Sequence, residues 1–181
     1  MAPFTRQALR HTLLMLLEQQ PLDKITVKML VDFCGISRNT FYYHYEDIPA
    51  LLADTLETEF QKTAQNGQGD PLYRLLTMVA GHRQVFAHID SSQSRDILRQ
   101  RLRRTMELGI RRSLSAAGGD ALPPAQLETL AVFLTGGLWA LFQAWLEGGA
   151  QETPEAFLAR FAAVQRLIDQ AVSQANSNTC G

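Results

Sequence analysis

Residues 25–45 read ITVKMLVDFCGISRNTFYYHY, the pattern of two short helices joined by a tight turn. Val27, Leu30, Val31 and Cys34 fall at i, i+3, i+4 and i+7, the spacing of one helical face. Thr26 stands ahead of them as an N-cap. Gly35 follows, the residue that best accepts the left-handed conformation at a helix end. Ile36 is placed to enter the core from the turn, and Ser37 to cap the next helix. On that helix Phe41 and Tyr45 are four apart and share an inward face. Arg38, Asn39, Thr40, Tyr42, Tyr43 and His44 are left for the other faces. A surface of donors and aromatics on a short helix suits a DNA groove and the phosphates beside it. Three tyrosines and a histidine in consecutive positions cannot all face one core, which argues against reading them as core aromatics alone.

The longer stretch TVKMLVDFCGISRNTFYYHYEDIPALL, residues 26–52, resembles the DNA-binding segment of TetR/AcrR-type repressors, and the likeness spans residues 5–57. Turn glycine, capping serine and the F-Y-Y-H-Y run fall in the family's order. The resemblance implies an all-α homodimer with a helix-turn-helix head over residues 1–48 and a helical effector and dimerisation body over 49–175; the polar composition of 176–181 reads as a flexible tail. It further implies a repressor that binds a palindromic DNA operator and answers to an effector held by the body. The head, together with GGLWALFQAWLEGG at 136–149, looks most like the dihydroxyacetone-kinase-regulator branch, where signalling can involve a protein coactivator. The implied effector is therefore an unknown small molecule or a protein coactivator. The chain departs from the family at Glu46 and Ile48, positions that commonly carry phosphate-touching lysines.

Within the head, Arg38, Asn39 and Thr40 are the candidates for base edges. Arginine pairs geometrically with guanine and asparagine with adenine. Tyr42, Tyr43, His44, Thr26 and Lys28 are the candidates for phosphates, with Ser37 on the same surface at the helix start. Lys24 and Lys28 flank the first helix of the pair and read equally well as solvated lysines.

The 181 residues are 46% hydrophobic, enough for a core and too apolar for disorder. The net charge of −1 does not announce nucleic acid, but a dimer needs only a local basic face. Two cysteines, Cys34 and Cys180, suggest no disulfide framework and fit a reducing compartment. The start MAPFTRQALRHTLLMLLEQQ has apolar residues at helical spacing rather than the form of a secretory signal. The apolar run Leu130–Leu146 is broken by Thr135 and Gln143 and is short for a membrane span. A cytoplasmic protein without membrane contact is the expectation.

No period-2 strand pattern occurs. Helices are expected over Phe4–Gln20, Ile48–Gln65 behind an Asp47 cap, Pro71–Ile89 with a bend at Gly81, Arg95–Ala117, Pro123–Glu147, and from a Thr153 cap to Gln174. Asn66–Asp70 (NGQGD) is the clearest break. The Pro123–Glu147 helix is apolar nearly all round, so it must be covered on more than one side. The expected dimer interface is Leu134, Leu138, Leu141, Trp145, Phe157, Phe161, Val164 and Ile168. Gly136–Gly137 inside that helix, at about 1 kcal/mol each against alanine, suggests a close crossing, a kink or an approaching ligand. Tyr73, Met78, Phe86, Met106 and Trp139 are candidates for a ligand pocket and serve equally well as core.

Seven arginines between Arg95 and Arg112 face only Asp96 and Glu107. They support the alternative of a helical interaction module for an acidic partner, beside the reading of a solvated face. Enzyme chemistry has no support. None of the four histidines stands in an H-x-x-x-H pair or beside a cysteine at metal-ligand spacing. Neither a P-loop nor a nucleophile or dinucleotide motif is present, and no cofactor or metal is expected.

Overall fold

The leucines at positions 9, 13, 16 and 17 are each at most 3% exposed and form the seam along which the N-terminal half assembles. The computed structural model describes residues 2–65, 71–162, 166 and 170. Among them every regular element is helical: α1 Ala2–Leu17, α2 Val27–Cys34, α3 Arg38–His44, α4 Ile48–Gln65, α5 Pro71–Gly81, α6 Arg83–Asp90, α7 Arg95–Ala116, α8 Pro124–Glu147, and α9 over 154–162. Single 3-10 turns lie at Leu22–Lys24 and Gly119–Ala121. The NGQGD segment, Val164, Ile168 and the 176–181 tail with Cys180 fall outside the described residues. The fold is all-α.

The chain forms two units, Met1–Gln68 with Gly81–Arg101, and Gly69–Ala80 with Leu102–Gly181. In the first, α1 packs on α2, α4 and α6. Leu30 and Val31 of α2, Phe41 of α3, Leu51, Leu52, Leu56 and Phe60 of α4, and Val85, Phe86 and Ile89 of α6 are all buried. Polar groups at the seams are matched. The Thr12 hydroxyl meets the Cys34 thiol at 3.3 Å. His88 donates from Nδ1 to the Leu17 carbonyl at 2.7 Å, satisfying an acceptor that the end of α1 leaves open.

The single Pro71–Ile89 helix expected from the sequence is two helices. His82, at φ −126° and ψ 38°, leaves the helical region, and the chain restarts at Arg83. A glycine inside a helix costs about 1 kcal/mol against alanine, so Gly81 weakens the turn where the break falls. The halves part company: α5 belongs to the second unit up to Ala80, α6 to the first.

The second unit is built on α5, the later part of α7, α8 and α9. Leu75, Leu76, Val79, Met106, Ile110, Leu114, Phe142, Phe157 and Phe161 make its core. Thr153 caps α9, accepting from the Ala156 N–H at 3.3 Å. Trp145 donates from its indole nitrogen to the Glu152 carbonyl at 2.9 Å, which closes the α8–α9 connection. By length and composition α8 can cross a membrane, yet one face of it, Ala131, Leu134, Thr135, Leu138, Phe142 and Trp145, is the buried core of this unit.

The turn between α2 and α3 depends on one left-handed residue. Gly35 sits at φ 64° and ψ 33°, and the Ile36 N–H returns to the Val31 carbonyl at 3.0 Å, the closing bond of a Schellman cap. A Cβ added to Gly35 meets nothing within 4 Å, so the cost of a substitution there is purely conformational. Urea unfolding of Gly35→Ala should therefore show a loss of about 1–2 kcal/mol. Gly35→Asn should lose clearly less, because asparagine tolerates this region. Equal losses would mean that side-chain contacts, not backbone conformation, set the cost.

Candidate nucleic-acid interface

The interface is assembled from the caps outward. Thr26 is extended and its hydroxyl accepts from the Met29 N–H at 3.3 Å, fixing the start of α2. Lys28 beside it is exposed, its ammonium 3.4 Å from Asp32. After the Gly35 turn, Ser37 accepts from the Thr40 N–H at 3.1 Å and its hydroxyl meets the Thr40 hydroxyl at 2.9 Å. Thr40 is thus half-buried and engaged with the cap, whereas Arg38 and Asn39 stand free of the protein surface on the first turn.

The aromatic run divides cleanly. Phe41 is fully buried and Tyr45 is 5% exposed, while Tyr42 and Tyr43 are 56% and 82% exposed. His44 lies between, half-buried, with its ring 5.0 Å from that of Tyr43. A seven-residue helix therefore presents Arg38, Asn39, Tyr42 and Tyr43 outward over one buried anchor. Glu46 is exposed, and Asp47 caps α4 by accepting from the Ala50 N–H at 2.7 Å.

The far end of α3 is held by a polar cluster that the sequence did not reveal. The Tyr45 hydroxyl donates to Asp54 Oδ2 on α4. Arg10 of α1 donates to the same oxygen at 2.9 Å, and the Arg6 guanidinium lies 5.5 Å from the Tyr45 ring centre. Burial, then the hydrogen bond to Asp54 and its charge, push the Tyr45 phenol up to about 12, against partial relief from Arg6 and Arg10. Partial burial acts to raise the Asp54 carboxyl, but the hydrogen bonds from Tyr45 and Arg10 outweigh it and hold the group below the usual carboxylate range. A buried tyrosine signals that its hydroxyl needs a partner, but not which one. Phe33, 63% exposed on the last turn of α2, lies off the inward face of Val27, Leu30, Val31 and Cys34 and was not among the candidates.

In the second unit, Met106 lines a cavity of about 30 Å³ with Leu72, Leu75, Ile110, Leu138, Phe161 and the Thr105 and Ser113 side chains. The other four pocket candidates lie elsewhere. Tyr73 is 38% exposed and donates to Glu155 at 2.7 Å. Trp139 stacks on Phe142 at 5.9 Å, Met78 is half-buried, and Phe86 is in the core of the first unit. Of the expected dimer residues, Leu134, Leu138, Trp145, Phe157 and Phe161 are buried within their own chain, and Leu141 is 37% exposed. The apolar residues that α8 leaves most open are Val132 and Phe133, at 57% and 71%. The arginines of α7 are partly engaged: Arg99 with Asp90 at 2.7 Å, Arg101 with Glu57, and Arg111 with Glu107 and Glu128 at 3.0 and 2.9 Å.

The polar cluster gives the first unit a pH signature. The Tyr45 phenol is raised on folding, so its contribution is whole below the unfolded tyrosine value and is lost as pH climbs towards 12. The Asp54 carboxyl is lowered, so its contribution is whole above the unfolded carboxylate value and is lost as pH falls through the folded one. Thermal melts should show wild type losing stability more steeply than Tyr45→Phe between about pH 10 and 12. Parallel curves would mean that the hydroxyl is not coupled to folding.

The family model of a TetR-type transcriptional regulator C-terminal region matches residues 70–167. No curated protein matches the sequence. The solved structure of a dihydroxyacetone kinase operon activator, DhaS, has a TM-score of 0.70 to this chain at 12% identity, covering 93% of this chain and 96% of that one. A transcriptional regulator from Rhodococcus sp. Rha1 has a TM-score of 0.52 at 16% identity, covering 93% and 94%. At these identities the likeness is one of fold. The family match, lying over the helical body rather than the head, adds the assignment: the chain belongs to the TetR-type transcriptional regulators.

Proposed function

We propose that this regulator binds a palindromic DNA operator as a homodimer in the cytoplasm and represses transcription there, under control of an effector at the second unit. The observation that carries the reading is the capped helix α3, anchored by Phe41 and Tyr45 and presenting Arg38, Asn39, Tyr42 and Tyr43 outward. The Thr40 hydroxyl is already used by Ser37, which leaves Arg38 and Asn39 as the principal readers of base edges. Tyr42, Tyr43, His44, Thr26, Ser37 and Lys28 serve the phosphates. Occupying an operator is sufficient for repression and needs no further contact. The cavity in the second unit, about 30 Å³, has room for roughly one water. Small-molecule sites run to about 300–1,000 Å³. A small-molecule effector at this cavity would have to widen it, whereas a protein coactivator would not.

The second copy is proposed to cover the open face of α8. Val132, Phe133 and Leu141 are exposed there. Gly136 and Gly137 lie between them, and among the described residues a Cβ added at either meets nothing within 4 Å beyond the helix's own backbone. The glycines therefore answer no packing demand among the described residues, and they leave a shallow track that would let a second helix approach closely.

DNA selected by the purified protein from a random pool tests the central reading. Asn39→Ala should relax preference at one base pair by about 1–3 kcal/mol. Lys28→Ala should weaken selected and random DNA alike and reduce the salt slope by about 1 per subunit. A protein that enriches no sequence removes the proposal.

Sedimentation tests the dimer. Burying a phenylalanine is worth about 1.5–3 kcal/mol, and a twofold interface counts it twice. Phe133→Asp should raise the dimer Kd by about a hundredfold or more with helicity retained. Trp145→Asp should instead unfold the second unit, since Trp145 is buried in its own chain. A Phe133→Asp protein that sediments as wild type does would place the interface elsewhere.

A further inference from the structure

We propose that Asp54 is a positioning residue for DNA reading: its carboxylate, shared by Tyr45 and Arg10, fixes the angle at which the reading helix leaves the protein surface. This rests on the reading of α3 as the helix that enters the groove.

The argument is one of leverage. At seven residues α3 is far too short to be stable alone. Its near end is set by the Gly35 turn and the Ser37 cap. Its middle is seated by Phe41, whose burial fixes depth and holds rotation about the helix axis only loosely. At the far end, the Tyr45 N–H returns to the Phe41 carbonyl, a bond internal to the helix that fixes nothing relative to other elements. Burial of the Tyr45 ring holds this end by packing, and the directional tether to another element is the Tyr45 hydroxyl on Asp54. A helix of seven residues is about 10 Å long, and a swing of about 10° about its near end moves the far end, with Tyr42 and Tyr43 beside it, by about 2 Å, and moves the tip of a first-turn side chain such as Arg38, reaching about 6 Å from the pivot, by about 1 Å. That is enough to break a hydrogen bond, and base-edge contacts tolerate only about 0.5 Å.

One oxygen, Asp54 Oδ2, takes both donors, with Arg10 at 2.9 Å. The carboxylate thereby links three elements at a single point: α1 through Arg10, the end of α3 through Tyr45, and α4 through its own backbone. Hydrogen bonds to a charged acceptor are short and strongly directional. Arg6 over the Tyr45 ring adds a second hold from α1. Arg10 and Asp54 side chains are 22% and 29% exposed, so the cluster lies at the edge of the unit and fills no hole in the core. Removing the hydroxyl of Tyr45 leaves the ring in place, and with it the packing against Phe41. Position and packing are thus separable by substitution.

The test uses full-length protein and the operator it selects, with scrambled duplex of equal length as control. Tyr45→Phe and Asp54→Asn should each weaken operator binding about tenfold while scrambled DNA changes less than about twofold, at unchanged salt slope. The double variant should bind no worse than either single one, because both break the same link. Helicity should stay at the wild-type level. Three results would overturn the proposal: Tyr45→Phe binding the operator as wild type does, operator and scrambled DNA weakening together, or the two substitutions adding. Should Asp54→Asn fail to fold, Tyr45→Phe decides alone. If wild type itself selects no sequence, the reading of α3 falls and this inference with it; if wild type selects and Tyr45→Phe matches it, the positioning role alone falls.

Discussion

A helix of seven residues exists here because its side chains are shared between two environments. Nucleating a helix fixes several dihedrals for each early hydrogen bond, and short isolated helices do not persist in water. What holds α3 is external: the Ser37 hydroxyl on the Thr40 N–H, the full burial of Phe41, and the Tyr45 hydroxyl on Asp54. Each hold uses a different face or end, so the remaining surface is left to solvent. The outward set of Arg38, Asn39, Tyr42 and Tyr43 is a consequence of this division. Stability is supplied from below and the ends, and the top is free to carry chemistry.

How much of this was legible in the sequence follows from the range of each signal. Caps and turns act over three or four residues, so Thr26, Gly35, Ser37, Asp47 and Thr153 could be read directly and stand in the structure as N-caps or as the turn residue. The alternation of inward Phe41 and Tyr45 with outward Tyr42 and Tyr43 is likewise a local periodicity. The Asp54 link to Arg10 spans 44 positions, and no spacing rule connects them. Gly81 marked a bend within one helix in the sequence, but the apolar spacing that continues on both sides did not show that the chain ends one helix there and starts another.

Periodicity failed in a more instructive way on α8. A helix apolar on one side announces which side is inward. One that is apolar all round does not, and its mean hydropathy says only that both sides want cover. Leu134, Leu138 and Trp145 read as interface residues by size and spacing, but the chain covers them itself. Val132 and Phe133, outside the expected interface, are the most exposed large apolar residues of α8. The glycine pair then takes its meaning from the empty space beside it. Against the described residues of their own subunit two glycines mid-helix are only a cost. Against another helix they permit close approach, and a protein that retains an exposed phenylalanine next to such a track has reason to bury it between copies.

The electrostatics of the head bear on how firmly such a protein would hold DNA. The chain as a whole carries a net charge of −1, so attraction to a polyanion must be local. Among the described residues the exposed cations of the head up to the end of α3 are few: Arg6, Lys24, Lys28 and Arg38. Lys28 already faces Asp32 at 3.4 Å. An exposed pair of this kind is worth about 0–1 kcal/mol, so the lysine can exchange Asp32 for a phosphate at little cost. Glu46, exposed at the α3–α4 junction, adds a carboxylate where phosphates would run. Each phosphate neutralised by a cation contributes about 0.9 to the salt slope, and with so few cations the non-specific component of such binding would be small. Discrimination between operator and bulk DNA would then rest on the hydrogen-bonding groups of α3. Those groups work only as well as the helix is aimed. A weak electrostatic grip and a firm tether at Tyr45 are in this sense one arrangement: the less a protein relies on charge to stay on DNA, the more it depends on the geometry of the few contacts that tell one sequence from another.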